Sequence, residues 1–233
     1  MSVRHLRDVL RADILSGRHE PGERLPSEQE FMVTLGASRT AVRGALDLLR
    51  EEGLIERVPG AGTSIVTAKA THGLDRLRGL AESFGDVSGR VVNEVLSASV
   101  IPAPQMVANR LRLDVGEEVV LIERLRHLDG LPLSLDMSYL PADIGRPLLD
   151  VDLRSNDVFV LLDGPLGHRL GAAHLSIESV RADASVARLL DLPPGSPLLM
   201  VERLTHLEDH RPVDLEFLRY RGDRLTLTTW LTR

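Results

Sequence analysis

Ser38-Arg39-Thr40-Ala41-Val42-Arg43-Gly44-Ala45-Leu46 is a helix start with two unlike faces. Val42, Ala45, Leu46 and Leu49 recur at the spacing of one helix face and mark the side for burial. Ser38 stands just ahead of them, where its hydroxyl can accept a free N–H of the first turn. Arg39, Thr40 and Arg43 lie off the apolar stripe, near the helix start. Upstream, Ser27-Glu28-Gln29-Glu30 has the Ser-x-x-Glu pattern of a capping box and opens a shorter helix. Gly36 marks the turn between the two. A short helix, a tight turn and a helix opening Ser-Arg-Thr form a helix-turn-helix layout, whose second helix enters the DNA major groove and reads bases from its N-terminal end.

The flanks extend the pattern. Pro21-Gly22-Glu23-Arg24-Leu25-Pro26-Ser27-Glu28 precedes the pair, and Glu52-Gly53-Leu54-Ile55 and Gly60-Ala61-Gly62-Thr63 follow it. In order and spacing, the span from about residue 3 to 66 resembles the winged helix-turn-helix domain of the GntR family of bacterial transcription regulators. The resemblance implies that Ser27, Ser38, Arg39, Thr40 and Arg43 contact bases and phosphates, with Gly60 at the wing tip against the minor groove. Arg39 is the candidate for base readout, because a guanidinium matches guanine O6 and N7 bidentately. Two departures stand out: Gln29 and Ala61 occupy positions where family members often carry basic residues.

Around this motif, a first helix is expected over Val3 to Ser16, with Val3, Leu6, Val9, Leu10 and Ile14 inward and Gly17 as its stop. Glu20-Pro21-Gly22-Glu23 reads as a turn. Strands are expected over 54–58 and 63–67, joined by a tip at 59–62. Residues 1–68 form the DNA-binding domain. Residues 69–90 form a linker with a short helix through Leu74, Leu77 and Leu80, and 91–233 form a second domain.

The second domain contains a repeat. Gly116-Glu117-Glu118-Val119-Val120-Leu121-Ile122-Glu123-Arg124-Leu125-Arg126-His127-Leu128 matches Gly195-Ser196-Pro197-Leu198-Leu199-Met200-Val201-Glu202-Arg203-Leu204-Thr205-His206-Leu207 at an offset of 79, and Pro132 matches Pro212 at 80. Each copy reads as a helix followed by a two-strand hairpin. Two copies are too few for a solenoid; they predict a pseudo-symmetric antiparallel sheet carrying helices, an α+β fold. Glu123-Arg124-Leu125-Arg126, Asp129-Gly130-x-Pro132, Tyr139-Leu140-Pro141 and Arg221-Gly222-Asp223-Arg224 resemble the UTRA effector domain of the HutC subfamily, which implies a chorismate lyase-like fold.

Alternate strand residues share a face, so Arg124 and Arg126 project together, and so do Asp214, Glu216 and Tyr220. Two arginines aimed into one cleft can hold a carboxylate or phosphate. The family resemblance places effector contacts at Arg124, Arg126, Asp136, Asp157, Phe159, Asp214 and Tyr220, and Glu216 joins them by shared face. Asp157-Val158-Phe159 replaces the family's Ser-x-Tyr, which puts a carboxylate where a hydroxyl would meet phosphate. A zwitterionic, amino-bearing or hydroxyl-rich effector fits this set better than a sugar phosphate. An alternative reading has the two arginines pairing with Glu118, Asp136 or Asp214 on a sheet face.

Composition narrows the rest. The chain has 233 residues and a net charge of −6, and Cys is absent, which excludes thiol chemistry and makes the cytoplasm the expected location. Residues 1–70 carry ten basic and ten acidic side chains, so DNA affinity has to come from local placement of arginine. No apolar run is long enough to span a bilayer, and the charged start is unlike a secretory signal. No His spacing suggests a metal site, and no cofactor is expected. Gly-x-Gly at 60–62 is assigned to the wing, and no Gly-x-Ser-x-Gly elbow occurs. The expected protein is a homodimeric regulator, probed against two rivals: a chorismate lyase-like enzyme and a metal-responsive regulator. Its partners are operator DNA and a small effector, with no membrane.

Overall fold

A computed structural model describes residues 1–15, 22–58, 60, 62–66, 69–84 and 91–232. The chain divides into two compact units, Met1–Ala70 and Thr71–Arg233.

In the first unit, α1 (Val3–Leu15), α2 (Glu28–Leu35) and α3 (Arg39–Glu51) precede β1 (Ile55–Val58) and β2 (Gly62–Ile65). Each local signal has a visible cause. The Ser27 hydroxyl accepts the Glu30 N–H while the Glu30 carboxylate accepts the Ser27 N–H, closing the capping box on α2. Gly36 ends α2 at φ 60°, the left-handed conformation that glycine adopts at low cost. Ser38 caps α3, its Oγ accepting the Ala41 N–H. The inward faces of the three helices meet in one core of Leu6, Leu10, Ile14, Phe31, Val42, Ala45, Leu46 and Leu49, joined by Leu54, Ile55 and Ile65 of the wing. Val9, expected inside, is exposed; it flanks the stripe of Leu6, Leu10 and Ile14. β1 and β2 pair antiparallel from Ile55↔Ile65 to Val58↔Gly62. Residues 22–25 lie along β2, with the Leu25 N–H donating to the Thr63 carbonyl at 2.8 Å. Arg7 and Arg11 reach from α1 to the Glu52 carboxylate at the end of α3, at 2.9 and 2.8 Å. Burial alone would raise that carboxyl; hydrogen bonds from Arg11 and Arg7 overcome it and hold it below the usual range. The expected Gly17 stop, the start of the 20–23 turn, wing residues 59 and 61 and Thr67 lie outside the described residues.

The second unit opens with β3 (Ala70–Gly73), α4 (Leu80–Ser83), β4 (Val91–Pro102) and α5 (Gln105–Leu111). It continues with β5 (Glu118–Leu128), β6 (Leu131–Pro141), α6 (Ala142–Gly145), a 3-10 helix (Arg146–Asp150) and α7 (Val158–Asp163). It closes with β7 (Leu170–Arg181), α8 (Ala184–Leu189), β8 (Pro197–Leu207), β9 (Pro212–Arg221) and β10 (Leu225–Thr228). Six strands form one antiparallel sheet in the order β4-β5-β6-β9-β8-β7. The repeat is larger than the sequence match suggests. β4 and β7 lie 79 residues apart as well, so each copy is strand-helix-strand-strand. Met137 and Phe217 are register partners and also repeat equivalents at the offset of 80, which puts the pseudo-twofold axis between them.

The residues expected as a linker helix depart from that reading. Residues 70–73 pair with β10, the Leu74 N–H donates to the Thr228 carbonyl at 2.7 Å, and only Leu80–Ser83 is helical. The Leu74-Leu77-Leu80 spacing suits a helix, but pairing with β10 holds 70–74 extended and the helix begins only at Leu80.

One sheet face packs Leu125 and Leu135 against α8, and Val119 and Leu215 against α5. The opposite face packs Val120, Ile122 and Leu140 against α6, the 3-10 helix and α7. No helix among the described residues is long and apolar enough to cross a membrane.

Leu49→Ala empties a fully buried position where α3 meets the core of the first unit. It is expected to destabilise that unit by about 2–5 kcal/mol, read by urea denaturation.

Candidate nucleic-acid interface and ligand pocket

The caps of α2 and α3 set the first site. Ser27, Ser38, Arg39, Thr40, Arg43 and Gly60 are all exposed. Arg39 and Arg43 sit one turn apart on α3, and both face Glu28 at the start of α2, with N···O distances of 3.6 Å each. Arg24, Arg50 and Arg57 join them around a groove of about 340 Å³ that also contains Glu28 and Asp47. Arg50 is paired with Asp47 at 2.6 Å. Gly60 has φ 77°, and a β-carbon added there would meet none of the described residues within 4 Å. This surface is a row of guanidinium donors beside a helix N-terminus, suited to phosphate oxygens and guanine edges.

The second site is buried. Arg124, Arg126, Asp136, Asp157, Phe159, Asp214, Glu216 and Tyr220 are all inaccessible or nearly so. Strand register brings most of them onto the face that α7 covers. Arg124 pairs with Asp136, Ser134 pairs with both Arg126 and Tyr220, Ser138 pairs with Glu216, and Arg203 pairs with Glu216. Asp157 and Phe159 come from above, at the start of α7.

Arg126 lies between two carboxylates. Its Nε is ion-paired with Asp136, and its Nη1 donates to Asp157 Oδ1 at 2.6 Å. The other Asp157 oxygen accepts the Ala81 N–H at 2.8 Å. A side chain on Gly79 would run into the Asp157 carboxylate, so the 79–81 backbone approaches as only glycine allows. Burial would raise the Asp157 carboxyl; Arg126 overcomes it and holds it below the usual range. Asn93 supports this lid, its amide donating to the carbonyls of Leu153 and Arg154 at 3.3 and 3.1 Å. The reading in which the arginines pair with carboxylates on the sheet is thus met at Arg126–Asp136. Asp157 adds a partner from outside the sheet, and Glu118 pairs instead with Arg146.

Arg203 donates to Glu216 through Nε at 2.6 Å and lies over the Phe159 ring at 4.3 Å. Arg203 was missed among the site residues, although the repeat makes it the counterpart of Arg124. His72, Asn93, Ser134, Ser138 and Thr205 were also missed. Their burial follows from tertiary packing and leaves no mark in local sequence. Burial and nearby Arg203 push the His72 imidazole down to about 4.

Among the described residues, Arg124, Asp214 and Thr205 on this face are incompletely partnered. Arg124 is fully buried, its Nη1 donates to the Asn156 carbonyl at 3.3 Å, and its Nε and Nη2 have no acceptor. Burial lowers this guanidinium to about 10, with Arg126 adding to the effect. Asp214 is fully buried and neither of its oxygens has a donor; Thr205 Oγ1, on the residue opposite, also lacks a partner. Burial, reinforced by Glu216, holds the Asp214 carboxyl well above the ordinary range. Among the described residues, no cluster of three or more His, Cys, Asp or Glu could hold a metal ion.

An exposed arginine-bearing helix in one unit and a closed polar face in the other are the layout of a DNA-binding regulator with a ligand domain. Residues 3–65 match the model of "Bacterial regulatory proteins, gntR family", and residues 88–226 match the UTRA domain. The chain belongs to the GntR family, in its UTRA-bearing form: it is a transcription regulator and not an enzyme. It is 32% identical to the HTH-type transcriptional regulator Rv0792c of Mycobacterium tuberculosis, over 98% of this chain and 85% of that one. It is 25% identical to the HTH-type transcriptional repressor NagR of Bacillus subtilis, over 97% and 93%. Among solved structures, PhnF from Mycobacterium smegmatis superposes with a TM-score of 0.71 at 25% identity, over 97% and 98%.

The Asp214 environment sets a pH dependence. The unfolded carboxyl titrates near ~3.9, and its folded counterpart titrates higher. Between the two values the folded chain binds the extra proton, so this residue's contribution to stability falls as pH rises. Asp214→Asn is expected to remove that fall. Unfolding free energies of both proteins, measured from pH 4 upward, check it.

Proposed function

We propose that this protein represses its target genes by binding a pseudo-palindromic operator as a homodimer in the cytoplasm, and that a small polar effector in the C-terminal unit changes that affinity. The observation that carries the reading is the segregation of the two residue sets. All six DNA candidates are exposed around a doubly capped helix-turn-helix, and all eight effector candidates are buried. α3 of each protomer enters a major groove, with half-sites about one helical turn apart. Arg39 reads a guanine, Arg43 reads a base or holds a phosphate, and Ser27, Ser38, Thr40 and Gly60 fix the register. NagR is named a repressor, which supports the same sign here. The effector acts only as far as it binds one arrangement of the chain better than another, and bound DNA alters effector affinity by the same factor.

Arg39→Ala is expected to weaken binding to an operator recovered by in vitro selection by about 1–3 kcal/mol and to relax specificity at one position. Arg43→Ala, if it removes a phosphate contact, lowers the slope of log affinity against log salt by about 1. Fluorescence anisotropy across a salt series measures both; wild-type affinity in the two variants would remove α3 from the role of reader.

A further inference from the structure

The effector site already holds an anion of its own. Arg126 and the Ala81 N–H converge on one point, a guanidinium and a backbone amide, and this pairing is a ready cradle for a phosphate or carboxylate. The Asp157 carboxylate fills it from within, one oxygen on each donor, with its side chain 1% exposed. Gly79 presses against the same carboxylate.

The charge count on the face leads the same way. Arg124, Arg126 and Arg203 are matched in number by Asp136, Asp157 and Glu216, and Asp214 is a fourth carboxyl, whose charged form burial and Glu216 disfavour. An incoming anion finds the guanidiniums already matched by carboxylates in a closed, low-dielectric place, whereas an ammonium would favour the ionised Asp214 and supply its missing counter-charge. One acid lacks a donor at both oxygens among the described residues: Asp214 is unpartnered, and so is the neighbouring Thr205 Oγ1. A carboxyl left this way costs stability unless a donor reaches it. A cavity lies one register partner beyond Thr205. Ala173, Thr205 and Asp214 are successive register partners across β7, β8 and β9 and share one face. Ala173 and Arg203 line a cavity of about 170 Å³, with His72 and Asp75 on its walls.

Resting on the effector reading above, we infer that the ligand is a small amine carrying hydroxyl groups, and not a phosphate or other anion. It enters by the Ala173 cavity and seats its amino group on Asp214 beside Thr205, while Asp157 keeps the anion cradle filled. Its hydroxyl oxygens accept from Arg124 Nε and Nη2.

The test uses simple probes on the full-length chain: ethanolamine hydrochloride, ethylene glycol and inorganic phosphate, each against sodium chloride of equal ionic strength, read by thermal unfolding. Ethanolamine is expected to raise the melting temperature of the wild type by a few degrees and to leave Asp214→Asn unchanged. Ethylene glycol and phosphate are expected to leave the wild type unchanged. Asp157→Ser opens the cradle, and phosphate is then expected to protect that variant. Phosphate protection of the wild type overturns the inference, as does ethanolamine acting equally on Asp214→Asn or not acting on the wild type. Should either variant fail to fold, Thr205→Val removes only the hydroxyl beside Asp214, and ethanolamine protection is expected to weaken; unchanged protection counts against the site. Operator affinity measured in the same samples separates the two readings. Amine binding that leaves DNA affinity unchanged sustains the ligand class and overturns the effector role.

Discussion

Arg126 sits between two carboxylates that reach it from different levels of the fold. Asp136 comes from the adjacent strand, two residues beyond the position directly opposite, and Asp157 comes from the lid at the start of α7. Withdrawing three ions from water costs several kcal/mol per ion, and their attraction offsets this only when the geometry is held. Strand register holds Asp136; the Ala81 amide and the Asn93 grip on the 153–154 backbone hold Asp157. The cluster therefore adds little net stability of its own. It determines where the lid closes and which backbone segment lies against it.

The N-terminal unit treats charge in the opposite way. Arg39 and Arg43 stay in solvent, where ion pairs are screened and weak. Glu28 faces both Arg39 and Arg43 at 3.6 Å, so under the proposed reading a phosphate or a guanine edge competes with one weakly held carboxylate to engage them. With basic and acidic residues balanced over residues 1–70, long-range attraction to DNA is small, and short-range complementarity carries recognition.

The helix-turn-helix was readable because its signals are local. Ser27 with Glu30, Gly36 and Ser38 act within four residues of their targets, and the structure realises each of them. The sheet was readable because it is repeated, and an offset of 79 survives divergence at most positions. Strand alternation pairs Arg124 with Arg126 and Asp214 with Glu216; that both pairs share one face follows from the register of β5, β6 and β9. What stayed hidden depended on contacts distant in sequence. The β3–β10 pairing joins residues near 72 to residues near 226, and Ala81 meets Asp157 across 76 positions. The partnering of Asp157 with Arg126 could not be read from either residue's neighbours, and Arg203 was overlooked although the repeat aligned it with Arg124.

The axis between Met137 and Phe217 relates two halves of one sheet, but only some of the polar residues obey it. Asp136 has its counterpart in Glu216 and Arg124 in Arg203, while Arg126 is matched by Thr205 and Asp214 by Ser134. The two half-domains thus share a fold, an arginine and a carboxylate, and differ where Arg126 stands in the place of Thr205 and Asp214 in the place of Ser134. The Arg126 side and the Thr205–Asp214 side of the face are related by a rotation that their chemistry does not follow, so any molecule laid across them can distinguish the two. Such a surface tells head from tail. It can also change its choice of ligand through substitutions in one half, while the other half continues to hold the sheet together.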